Sequence, residues 1–192
     1  MRIAVVILAG GQGSRIGGNK PLRMLAGRTL LDRAIEQARQ WSDLVFVAVR
    51  DRAQAAGAAS YSIVDERGIE GPLAGLAAAL RQSEALGCEG VLTIPADMPF
   101  LPPDLAGRLA SARGDQRVAI ATSGGHLHPV CGLWPTSALQ ELPGYVSTGN
   151  RSLRGFAAVV GYNAVEWPTD PADPFFNINA IEDLEAAERR LR

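Results

Sequence analysis

An unbroken apolar run, IAVVIL at 3–8, passes straight into a loop with glycines at 10, 11, 13, 17 and 18. This junction constrains the fold more than any other feature of the chain. A β-branched run without polar alternation suits a strand covered on both faces, which is the habit of parallel sheets flanked by helices. Glycine lets the following backbone take positive φ and come close to a ligand. Consecutive N–H groups in such a loop form an anion nest. Arg15 and Lys20 add two cations. A main-chain cradle with two cations, at the carboxyl end of a strand, is a design for holding phosphate, and open α/β sheets take their ligands at that edge. Two common phosphate motifs fail here. A Walker A loop needs Lys and then Ser or Thr directly after its last glycine, but Gly18 is followed by Asn19, Lys20 and Pro21. A dinucleotide fingerprint from Gly11 needs glycine at 16, where Ile16 stands, and the acid expected about 20 residues further on is missing.

The rest of the chain alternates strand and helix patterns. A helix is expected over 29–40, with Thr29 as its cap and Leu30, Leu31, Ala34, Ile35 and Ala38 on one side. Strands are expected at 44–49, 61–64 and 90–94. A helix opens on Pro72 and runs to 83, and another follows Pro102-Pro103-Asp104. Further strands are expected at 117–122 and 162–167. Gly124-Gly125 forms a turn from which 129–134 returns antiparallel, and a short helix starts at Ser137. The pattern at 152–159 fits neither class. The last helix, 180–190, takes Asn179 as its cap. Successive β-α units imply a three-layer α/β domain with a mostly parallel sheet and right-handed crossovers, the 122–176 region adding a small antiparallel lobe.

Two acids stand at strand ends. Asp65 follows the strand at 61–64, and Asp97 sits between prolines in IPADMP at 94–99. In a parallel sheet both share the glycine loop's edge. A carboxylate facing phosphate oxygens needs a cation between them, and Mg²⁺, an oxygen-seeking ion, suits Asp97. Asn177 and Asn179, in FFNIN, are read as pointing to opposite faces of an extended segment, one of them offering a second oxygen.

Composition narrows the class. With 192 residues, 47% of them apolar, the chain can bury a substantial core, which excludes disorder. A net charge of −1 leaves no general electrostatic footprint for nucleic acid. The first apolar run stops well short of the about 20 residues a bilayer span needs, so no membrane association is expected and the cytoplasm is the expected location. Cys88 and Cys131 read as buried thiols, and His126 and His128 are not read as a shared metal site.

Taken together, LAGGQGSRIGGNKPL at 8–22, EGPLAGL at 70–76, PADMPFLPPDLAGRL at 95–109, HPV at 128–130 and FFNINAIEDLEAAE at 175–188 resemble the molybdenum cofactor guanylyltransferases (MobA type), which are small nucleotidyltransferases. The likeness spans nearly the whole chain. It implies a Rossmann-like nucleotidyltransferase domain over 1–192, with a nucleotide-binding half at 1–100 and a pterin-substrate half at 101–192. It also implies transfer of GMP from GTP to the phosphate of molybdopterin, with release of pyrophosphate and Mg²⁺ as cofactor. Carried over by position, Leu8, Ala9, Gly10 and Gly11 would line the nucleotide, Asp65 would touch it, and Arg15 and Lys20 would bind its phosphates. Asp97 would hold the metal. Asn179, and Asn177 with it, would lie at the metal or on the pterin side, and His128, Arg151 and Arg154 would face the pterin. Contacts with a recipient molybdoenzyme or a delivery protein belong to the same picture. One departure is Ala48-Val49-Arg50, where relatives can carry an Asn that touches the nucleotide.

Such a reaction needs no general base, because a phosphate nucleophile is already ionised, and no Ser-His-Asp or Cys-His pattern stands out. Catalysis would rest on positioning and charge neutralisation. Gly10 removes a methyl group beside the base site and is expected to favour a purine. Other readings are a nucleotidyltransferase using CTP or a sugar phosphate, a nucleotide-binding module without turnover, and an adaptor.

Overall fold

The expected first strand is β1 (Ile3–Leu8), and it is an interior strand, third in order, of a seven-stranded sheet. The computed structural model describes residues 1–9, 20–50, 62–114 and 117–191. Gly10, Gly11 and Arg15, together with the other loop glycines and Tyr61, lie outside the described residues. After β1 come a short hairpin of β2 (Met24–Leu25) and β3 (Arg28–Thr29), helix α1 (Leu30–Ala38), β4 (Val45–Val49), β5 (Ser62–Val64), α2 (Pro72–Ala85), β6 (Gly90–Pro95) and α3 (Leu105–Ala112). The second half contributes β7 (Val118–Ser123), β8 (His126–Pro135), α4 (Leu142–Ser147), α5 (Leu153–Val160), β9 (Tyr162–Trp167) and α6 (Ile181–Arg190).

The main sheet has the order β5-β4-β1-β6-β8-β7-β9, and β2 and β3 form a separate antiparallel pair. β8 runs antiparallel to both its neighbours, β6 and β7, and the other main-sheet pairings are parallel. Strand alternation divides the core in two. Val5, Ile7, Val47 and Ile94 pack with α1 and α3 on one face. Val6, Ala48 and Val91 pack with α2, α4 and α5 on the other. Being buried on both faces is why these strands carry apolar residues without interruption.

Three local features differ from expectation or were left open by the sequence. Ser152 caps α5, its hydroxyl accepting from Gly155 N at 3.0 Å, which settles 152–159 as a helix. The β2–β3 hairpin, two residues a side, was too short to announce itself. Asn179 is not the cap of α6: Ala180 holds that position, and the Asp183 carboxylate accepts from the Asn179 and Ala180 N–H groups at 2.8 Å each. The acid in the first turn does the capping, so the Asn179 side chain is free to turn elsewhere. Thr29 does cap α1 as expected, accepting from Asp32 N at 3.0 Å.

The register builds one rim. Leu8 pairs with Ala48 of β4 and Pro95 of β6, so these strands finish level. Val64 pairs with Val49, which puts Asp65 just past the same line. The connection from β9 to α6 returns to this rim, where Ile178 N donates to the Asp97 carbonyl at 3.0 Å. No helix among the described residues is long and apolar enough to cross a membrane.

Candidate functional site

The rim holds a cleft of about 190 Å³, and six of the residues singled out in the sequence line it: Leu8, Ala9, Lys20, Asp65, Asp97 and Asn177. At one end Lys20 organises the polar groups. Its Nζ lies 2.5 Å from Asp97 Oδ2, and it donates to Asn179 Oδ1 at 2.9 Å and to Asn177 Oδ1 at 3.5 Å. The expectation that the two asparagines point to opposite faces is therefore corrected. No strand forms there, and residues two apart on extended backbone share a side; both amide oxygens converge on one ammonium. Asn179 enters the cluster through Lys20 rather than through the cleft lining.

Asp97 Oδ1 is buried and has no hydrogen-bond partner among the described residues. A buried carboxylate oxygen left alone is costly unless something binds it. With Asp97 Oδ2 and two amide oxygens beside it, the donor set is all hard oxygen, the kind that suits Mg²⁺. The residues present fit such an ion.

The other end is shaped by small residues. A Cβ added to Gly75 of α2 would come within 2.8 Å of Ala48 Cβ and 2.9 Å of Leu8 Cδ2, and 3.3 Å from Asp65 Oδ1. Glycine is required there to let the helix close on the strands while leaving the cleft open. The N-terminal turn of α2, with Gly71 and Pro72, also lines the cleft, so the positive end of that helix dipole faces it. Burial raises the Asp65 carboxyl above its ordinary pKa, and Arg50 works against that rise. Gly71, Pro72, Gly75 and Ala48 were not assigned roles from the sequence. For the first three the signal was GPLAG, a cluster of small residues opening a helix.

His128 stands apart from the cleft lining. Its ring stacks on Phe175 with centroids 4.6 Å apart, and its Nε2 lies 2.8 Å from Ser123 Oγ. Phe175 in turn meets the Trp167 ring edge-on at 5.6 Å. Burial lowers the His128 pKa and His126 adds to that, while Asp173 and Glu166 oppose it. Arg151 was expected to face a second substrate. Its Nη1 donates to the carbonyls of Val146 and Asn150 at 2.8 and 2.7 Å, at the end of α4.

Residues 5–164 match the model of the MobA-like NTP transferase domain. The chain belongs to the MobA-like NTP transferase family. Among its relatives in that family is a molybdenum cofactor guanylyltransferase of Cereibacter sphaeroides, 41% identical over alignments covering 100% of this chain and 98% of the relative. Another, from Bradyrhizobium sp., is 43% identical and covers 96% and 91%. The crystal structure of molybdopterin-guanine dinucleotide biosynthesis protein A from Archaeoglobus fulgidus aligns with a TM-score of 0.76 at 27% identity, covering 98% of both chains. A CMP:2-keto-3-deoxy-manno-octonic acid synthetase, solved with CTP, aligns at TM-score 0.75 but 16% identity, and shares the fold. The chain thus has the nucleotidyltransferase architecture that the sequence motifs led one to expect.

Proposed function

We propose that this protein transfers GMP from GTP to the terminal phosphate of molybdopterin, forming molybdopterin guanine dinucleotide and releasing pyrophosphate. The reading is carried by one conjunction. Lys20, Asp97, Asn177 and Asn179 meet at the mouth of a strand-end cleft, in a chain 41% identical over its full length to molybdenum cofactor guanylyltransferases.

The nucleoside would lie along Leu8, Ala9 and Asp65, where Gly75 and Ala48 keep the floor low. The triphosphate would run toward Lys20, from the glycine loop that carries Arg15. A molybdopterin phosphate oxygen attacks the α-phosphorus in line, the bond from that phosphorus to the bridging oxygen breaks, and pyrophosphate leaves with the electron pair. The nucleophile is ionised at neutral pH, so the protein need not remove a proton. Its work is to align the two phosphates and to offset their charge. Asp97, with Asn179 or Asn177, would hold Mg²⁺, which when bound would draw negative charge from the phosphate oxygens. Lys20 and Arg15 would oppose the charge that builds on pyrophosphate. The acceptor would enter from the side of residues 101–192, with His128 on that flank.

The test is pyrophosphate release with each of the four nucleoside triphosphates, with and without Mg²⁺ and molybdopterin. Release should require all three of GTP, the metal and the acceptor. Release with CTP at the same rate would overturn the base assignment, and no release under any combination would leave a binding module.

A further inference from the structure

We propose that the Lys20 ammonium is the resident cation of the Asp97 site in the free protein, and that it must leave before a divalent ion can enter. Metal entry and triphosphate binding are then coupled through one side chain. The inference deepens the nucleotidyl-transfer reading and rests on it for the identity of the triphosphate.

The argument is geometric. Three oxygens from separate residues surround Nζ: Asp97 Oδ2 at 2.5 Å, Asn179 Oδ1 at 2.9 Å and Asn177 Oδ1 at 3.5 Å. The same carboxylate and amide oxygens make the hard donor set that fits a divalent ion. Lys20 and Asp97 side chains are only 15% and 21% exposed, so water screens them weakly. Two cations drawn to one carboxylate in such a place repel each other strongly. Asp97 Oδ1 remains buried and unpartnered beside them, a further oxygen for the ion that replaces the ammonium.

Lys20 needs a destination. It lines the same cleft as Asp65, and its flexible four-carbon stem lets the ammonium pivot. A triphosphate in that cleft supplies anionic oxygens to receive it. Without one, a metal that displaces Lys20 strands the ammonium away from its partners. Wild-type protein should therefore bind a divalent ion poorly alone and well with nucleotide.

The experiment is Mn²⁺ binding to the full chain, followed by electron paramagnetic resonance, alone and with an α,β-methylene analogue of GTP. Lys20→Met should tighten binding of Mn²⁺ alone by about tenfold or more. Arg50→Met removes a charge that reaches Asp65 but does not occupy the Asp97 cage, and it should change Mn²⁺ affinity by less than about twofold. Unchanged or weaker Mn²⁺ binding in Lys20→Met overturns the proposal. Equal tightening in Arg50→Met does so too, since it would reduce the effect to charge subtraction. Melting curves establish that each variant is folded, and Lys20→Gln replaces Lys20→Met if that variant is not. If wild type binds no Mn²⁺ even with the nucleotide analogue, the metal-assisted reading of the whole site falls as well. If it does bind, and only the Lys20 effect is missing, the exchange alone is wrong.

Discussion

The two flanks of the rim are built in opposite ways. On the flank of β1, β4 and α2, glycine and alanine hold the elements close and leave a cleft. On the flank of β7, β8 and β9, the His128 and Phe175 rings stack, Trp167 meets Phe175 edge-on, and the three fill the space. One flank is open because its side chains are missing, and the other is rigid because its side chains are large. The difference assigns them separate tasks. The open flank leaves room for a ligand. The filled flank anchors the chain between β9 and α6, which two residues beyond Phe175 delivers Asn177 and then Asn179 to Lys20.

Substitutions on each flank should therefore fail differently. The largest effect is expected at Phe175, which is 3% exposed. Phe175→Ala should cost about 3–5 kcal/mol in urea unfolding, because it empties the stack. A cost below about 1 kcal/mol would show that the filled flank is not an anchor. Next comes Asp97→Ala, expected to lower GMP transfer by about 10²–10³-fold while the melting curve stays cooperative. Turnover near the wild-type rate would remove Asp97 from the site. Gly75→Ala forces a methyl group to within 2.8 Å of Ala48 Cβ. It should cost about 1–3 kcal/mol and weaken nucleotide binding more than acceptor binding. The reverse order of those two effects would mean that the cleft is not the nucleotide site.

The smallest effects are in pH dependence, and they too separate the flanks. Burial raises the Asp65 carboxyl above its ordinary 3.8. The folded state thus disfavours ionised Asp65, and stability is lost as pH rises from 3.8 through the raised value. Asp65→Asn should melt higher than wild type at neutral pH, bind nucleotide less well, and lose its stability advantage as the pH is lowered toward about 4. A lower melting temperature at neutral pH would show that the carboxylate is structural. For His128 the direction of loss is reversed. Burial lowers its pKa from the ordinary 6.5, so stability is full above 6.5 and is lost as pH falls from there through the lowered value. His128→Gln should flatten that fall between about pH 7 and 5. An unchanged slope would place the acid sensitivity elsewhere.

Much of the open flank was legible in the sequence because its signals are local. The IAVVIL run, the acids directly after strands and the small residues of GPLAG each report on their own neighbourhood. The filled flank and the polar cluster were less legible because they depend on return of the chain. Lys20 meets Asn177 across 157 residues of sequence, and nothing near either residue announces the other. Asn179 looked like a helix cap because Asn is a good one. Asp183 took that task, and the amide was left to bind Lys20. The pairing of His128 with Phe175 had no signal beyond the presence of two rings.

The measurement closest to the central claim follows phosphorus itself. ³¹P NMR of the protein with GTP, Mg²⁺ and molybdopterin should show the α-phosphorus of GTP passing into a new diphosphate linkage, with one pyrophosphate released for each linkage formed. Orthophosphate appearing in place of pyrophosphate, or no change in the GTP resonances while GTP stays bound, would contradict nucleotidyl transfer at this rim.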